Sequence, residues 1–223
     1  MFQRWRWLTF IHWRYESNVI RSLLPRQLEL DTWDGAAWIG LTPFLLTGLR
    51  LPRGPSLPWL SQFPETNVRT YVRGPNGERG VWFFTLEAGR LAAVLGARAL
   101  YCLPYRWADM RIRRSDRIVE YESRRKWQFG LAHSSIAVHF GDPQPASDFD
   151  NFLTARYRLY ASCGRRLAFA EIDHPPWPLH SARLVRLEQS LIEGSGVPCP
   201  RGAPVAHFSP DLLVRIGTLR LYP

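Results

Sequence analysis

The chain is short of lysine. Of its 29 basic residues only Lys126 is a lysine, and the remainder are arginines. Chemistry that needs a nucleophilic amine therefore has one side chain to draw on, and it sits in a charged RRKW run that reads as solvated. Cysteine is scarce as well. Cys102, Cys163 and Cys199 are odd in number and share no CxxC or similar spacing. That pattern predicts neither disulfides nor a thiolate metal site, and it implies a reduced, cytoplasmic setting. No apolar run approaches the roughly 20 residues that span a bilayer. The N-terminal MFQRWRWLTFIHW is basic and aromatic but lacks the apolar stretch and small-residue cleavage site of a signal peptide. No GxSxG, P-loop, GxGxxG or HExxH pattern occurs, so conventional hydrolases and nucleotide enzymes are excluded. His133 and His139 are six apart on a predicted strand, too distant to chelate one ion, and neither metal nor cofactor is expected.

What is present suggests an ordinary soluble domain. Hydrophobic residues make up 46% and charged residues 22% of 223, enough for one domain over 1–223 with a sizeable core. No linker, repeat or low-complexity tract divides it. The net charge of +10 invites a nucleic-acid reading. Against it, the arginines are scattered, and the densest cluster (Arg111, Arg113, Arg114, Arg117, Arg124 to Lys126) alternates with Asp116, Glu120 and Glu122. Mixed charge at strand spacing reads as a solvated sheet face, so no nucleic-acid partner and no membrane partner are expected.

The periodicity is mostly that of strands. Residues 8–14 form a first strand, after which SNVIRSLL reads as a short helix capped by Ser17 and stopped by Pro25. LELDTW at 28–33 alternates, and Asp34-Gly35 is a hairpin signal ahead of AAWIGLTPFLL. A proline-rich loop covers 51–64. The clearest hairpin joins TNVRTYVR (66–73) to GVWFFTL (80–86) through GPNGE. A helix is predicted over 88–100, strands at 107–113, 117–126 and 134–140, a Ser147-capped helix, and strands at 166–172, 181–189 and 203–208. The implied fold is mainly β: a cone- or barrel-like antiparallel sheet with a few peripheral helices.

Two segments resemble the acetoacetate decarboxylase family. HWRYESNVIRSLLPRQLE (12–29) is similar to that family's opening strand and helix, and RALYCLPYR (98–106) to its active-site segment. The runs DTWDGAAWIGLTPF, FPETNVRTYV and GVWFFTL resemble the YqjF-like bacterial proteins, an uncharacterised family sharing that fold, and this likeness covers most of the chain. The decarboxylase resemblance implies an active-site arginine at Arg14 and a motif arginine at Arg98. Its Schiff-base lysine falls at Tyr105, and its second lysine at Arg106. A phenol forms no imine, so imine-based decarboxylation is not expected. The family's active-site glutamate is nearest to Glu65.

On the residues alone, Glu65, Asn67, Arg69 and Tyr71 alternate and share one face of a strand. That face is either a pocket lining or the solvent side of a sheet whose Val68 and Val72 face the core. Arg14, Arg69, Arg98 and Arg106 are candidates for binding a carboxylate, for which the guanidinium fork is suited; the alternative is that each pairs with a protein carboxylate such as Glu16, Glu65 or Glu87. Tyr105 is a candidate hydrogen-bond donor to a carbonyl, with Glu65 as acid or base. His12 reads as a core residue or, less simply, as a base. Three functions fit: a protein holding a small carbonyl or carboxylate ligand, a non-covalent acid–base enzyme of lyase or isomerase type, or a partner-binding domain with a filled core. A homo-oligomer is compatible with each.

Overall fold

The computed structural model describes residues 1–50, 61–126 and 132–222. Its strands are β1 (Phe2–Tyr15), β2 (Glu29–Leu30), β3 (Ala37–Arg50), β4 (Phe63–Arg73), β5 (Arg79–Ala88), β6 (Tyr105–Ser115), β7 (Ile118–Arg125), β8 (His133–Pro143), β9 (Arg158–Cys163), β10 (Arg166–Asp173), β11 (His180–Gln189), β12 (Val205–Ile216) and β13 (Arg220–Leu221). Three helices accompany them: α1 (Ser17–Arg21), α2 (Leu91–Tyr101) and α3 (Asp148–Thr154). All thirteen strands join one sheet. Among the described residues no helix is long and apolar enough to cross a membrane.

The sheet closes on itself twice. The pairing order runs β13-β10-β9-β5-β6-β7-β8-β11-β12-β1-β3-β4-β2, and two further pairings, β4–β5 and β10–β12, complete the rings. One ring passes through β5, β6, β7, β8, β11, β12, β1, β3 and β4. The other leaves β5 through β9 and β10 and returns by β12, β1, β3 and β4. The two share the wall β12-β1-β3-β4-β5, whose faces therefore both point into protein.

That shared wall explains its sequences. A strand buried on both faces reads as a continuous apolar run, and β3 is buried without interruption from Ala37 to Leu46. Phe10, Phe44, Phe83, Leu159 and Ile172 pack in the smaller ring. Ile11, Ile39, Val68, Tyr121 and Ile136 pack in the larger. Each such side chain contributes roughly 1.5–3 kcal/mol relative to exposure. Pro43 cannot donate to a ladder. It lies where the β1–β3 register shifts between Arg6 and Ile11, close to the left-handed Trp7, so its missing N–H falls at a bulge.

Several local signals act as their chemistry dictates. Asp34 and Gly35 both have positive φ, and Trp33 bridges Ala36, as a tight primed turn requires. Ser147 caps α3 in a reciprocal box with Asp150. The central hairpin and α2 form where expected. Others differ. Glu16, not Ser17, is the N-cap of α1, and Ser17 Oγ instead donates to the Gly35 carbonyl at 2.5 Å. The strand expected over 28–33 shrinks to Glu29–Leu30, because Asp31 turns inward to meet Arg73 and Arg156. Strands β9 and β13 have no counterpart in the sequence reading, and most of the proline-rich loop lies outside the described residues. The expected absence of disulfides is also corrected. Cys102 and Cys163 are bonded across 61 residues, because α2 ends beside β9, and only Cys199 is free.

Candidate functional site

Position 105 is fixed from several sides. β5, α2 and β6 form a crossover in which β5 and β6 pair in parallel, with Tyr105 opposite Leu86. Helix α2 ends at Cys102, whose left-handed conformation (φ 53°) reverses the chain into Leu103 and Pro104. The Pro104 carbonyl accepts from the Leu86 amide at 3.3 Å. The Cys102–Cys163 bond ties this turn to the end of β9. A covalent tether, a proline and a parallel ladder thus hold one aromatic side chain.

Its hydroxyl meets Glu65. Tyr105 donates to Glu65 Oε2 at 2.9 Å. Glu65 is opposite Phe44 on β3 and Ala88 on β5, with 3% of its surface accessible. Burial pushes its carboxyl up to about 8, with hydrogen bonds from Tyr105 and Asn67 pulling the other way. Burial and the neighbouring carboxyl drive the Tyr105 phenol well above its ordinary value. At neutral pH the pair therefore holds the carboxyl proton as well as the phenol proton. A protonated Glu65 can donate to the phenol oxygen, which frees the phenolic hydrogen for another acceptor.

A cavity of about 330 Å³ opens on Tyr105. Its walls are one face of α2 (Ala92, Ala93, Gly96, Ala97, Leu100, Tyr101), strand residues Leu46, Leu49 and Phe63, and Met1, with Gln3, Arg50 and Ser61 as the other polar contributors. On its opposite side Tyr105 borders an outer groove that also contains Arg98, Arg106 and the disulfide.

The structure thus divides the residues expected to form one site. Tyr105 and Glu65 meet. The expected convergence of arginines on them does not occur. Arg14 is exposed, paired across the sheet with Trp38 at the far end of β1. Arg98 and Arg106 are exposed on the groove outside the cavity. Arg69 does face the interior, but four residues along β4 from Glu65. There it donates to the Leu153 carbonyl at 3.4 Å and stacks over Phe10 and Tyr71. The polar face of β4 is buried rather than solvent-facing, with Val68 and Val72 in other buried clusters. Glu87 pairs with Arg125, a partner that sequence distance concealed, in a fully buried bidentate contact on the larger ring's side.

Arg69 has no carboxylate partner among the described residues, and its Nε, Thr42 Oγ1, Asn67 Oδ1 and Ser209 Oγ find no hydrogen-bond partner there. His12 is wholly buried, with Nε2 on the Tyr71 hydroxyl at 2.5 Å. Burial and Arg69 lower its pKa well below the usual range, so it is a neutral core imidazole. Lys126 is exposed and stacks on Trp107 at 4.6 Å from the ring centre. No cluster of metal-ligating side chains exists among the described residues. The small side chains of α2 escaped the sequence reading; the spacing Ala92, Ala93, Gly96, Ala97 was their available signal.

A twice-closed sheet with a helix-linked parallel crossover leading into Tyr105 defines an acetoacetate decarboxylase-like fold. A solved acetoacetate decarboxylase superposes with a TM-score of 0.68 at 13% identity, over 99% of this chain and 88% of that one. The enduracididine biosynthesis enzyme MppR complexed with pyruvate gives 0.70 at 12%, over 99% and 89%. The chain itself belongs to the family described as "Uncharacterized conserved protein", matched over residues 2–212. It is 37% identical to the uncharacterized protein YqjF of Bacillus subtilis (strain 168) across 99% of this chain and 91% of that protein.

Proposed function

We propose that the protein binds a small carbonyl compound in the cavity beneath α2, without forming a covalent bond, and that Tyr105 is the hydrogen-bond donor to the carbonyl oxygen. The observation that carries this is the Tyr105–Glu65 hydrogen bond at the end of a cavity, at the position where the resemblance puts a Schiff-base lysine. A phenol backed by a protonated carboxyl polarises a carbonyl as an oxyanion-hole donor does, and it leaves no adduct. The complex of MppR with pyruvate supports the reading, since a related fold there holds a carbonyl ligand. The test is calorimetric titration of 2-butanone into the protein and into Tyr105→Phe. Loss of one neutral hydrogen bond should weaken binding about three- to tenfold. Equal affinities would refute the assignment.

A second reading is favoured by Glu65 alone. A carboxyl titrating near 8 sits where a general acid–base group works at neutral pH. It would take a proton from the carbon next to the carbonyl while Tyr105 steadies the enolate. Exchange of 2-butanone α-hydrogens in heavy water, followed by proton NMR, tests it. Exchange catalysed by the protein and lost in Glu65→Gln supports turnover; exchange at the buffer rate leaves binding as the function.

A further inference from the structure

The chemistry of the cavity wall narrows the ligand. Resting on the carbonyl-binding reading above, we propose that the cavity takes a neutral aliphatic carbonyl compound with a chain of several methylenes. The chain lies along the small-residue face of α2, and Gly96 sets its length.

The wall is apolar nearly throughout, and its polar atoms are mostly committed elsewhere. Gln3 Oε1 accepts from Trp5 Nε1 at 2.7 Å, and the Tyr101 hydroxyl donates to the Gly217 carbonyl at 2.9 Å. Arg50 is exposed at the edge, stacked over Phe2. The two cations on the wall are held elsewhere, Arg50 over Phe2 at the edge and the Met1 ammonium on the Ile216 carbonyl at 2.8 Å, so an anion beside Tyr105 would lose hydration without a dedicated partner. A short polar acid is therefore a poor match for this space, and a chain with one carbonyl is a good one.

Size gives the length. At about 30 Å³ per water-sized group, 330 Å³ holds on the order of ten non-hydrogen atoms. Gly96 explains how that room is kept. Glycine inside a helix is unfavourable relative to alanine, and nothing in the backbone demands it here. Its φ is not positive, and a Cβ at this position would meet no atom within 4 Å. What a larger residue would take is cavity volume, since Gly96 lines it together with Ala93 and Ala97.

The experiment is a ladder of methyl ketones, 2-butanone to 2-decanone, titrated by calorimetry with octanoate as the charged control. Affinity should rise about fourfold per added methylene, the increment for burying one CH₂, and level off near nine to eleven heavy atoms. Octanoate should bind more weakly than 2-octanone. In Gly96→Leu or Ala97→Leu the plateau should come about four atoms earlier along the ladder. A flat ladder, tighter binding of octanoate, or ladders unaltered in both variants would overturn the chain-length inference. The carbonyl reading stands or falls separately, on whether 2-butanone binding weakens in Tyr105→Phe. Failure of every ketone to bind would overturn both.

Discussion

Replacing Glu65 by glutamine should stabilise the protein, and increasingly so as the pH rises. The carboxyl has an ordinary value of 4.5 and is pushed to about 8 in the fold by burial. Between those two values the folded chain binds a proton that the unfolded chain has released, so folding stability falls as pH rises. Below 4.5 both states are protonated and the group costs nothing. Each pH unit across the window costs about 1.4 kcal/mol, so the full penalty above pH 8 is about 5 kcal/mol. Glutamine keeps an acceptor for the Tyr105 hydroxyl and does not titrate. Equilibrium unfolding in guanidinium chloride from pH 4 to pH 9 should show the two proteins diverging, the variant ahead by several kcal/mol at the alkaline end. Taking the difference between the two cancels the titration of other carboxylates. A difference that stays level with pH would mean that Glu65 ionises normally, and one that widens toward acid that its pKa is lowered; either would mean that the protonated pair does not exist.

The disulfide offers an independent prediction. Closing a loop of 61 residues lowers the entropy of the unfolded chain, worth about 4 kcal/mol. Cys102→Ala/Cys163→Ala should therefore lose 2–4 kcal/mol in urea unfolding, and it should also weaken 2-butanone binding, because the bond anchors the turn that carries Tyr105. Unchanged stability with and without reductant would show that the bond is not formed in solution.

Some of this architecture was readable in the sequence and some was not, for definite reasons. The hairpin 66–73/80–86, the Asp34-Gly35 turn and the Ser147 cap are local, since their side chains act on backbone within a few residues. The double burial of β4 is not local. Glu65, Asn67 and Arg69 alternate with valines and threonines as on a solvated sheet, and only the second closure through β9 and β10 puts that polar face indoors. The cysteine spacing gave no sign of a bond, because the partners meet only where β6 and β9 both pair with β5 and bring the end of α2 beside the end of β9. The resemblance located Tyr105 by motif and Glu65 only as the nearest carboxylate, and these two do touch. It did not convey the direction of the arginines. Arg98 leaves α2 on the side opposite the small residues, and Arg106, one residue after Tyr105 on a strand, must face the other way.

The most direct test of the account is the infrared carbonyl stretch of a ¹³C-carbonyl methyl ketone bound to the protein. A hydrogen bond from Tyr105 predicts a band at lower frequency than in an apolar solvent, returning toward the solvent value in Tyr105→Phe. A band already at the apolar-solvent position in the native protein, or a carbonyl band replaced by an imine band, would contradict it.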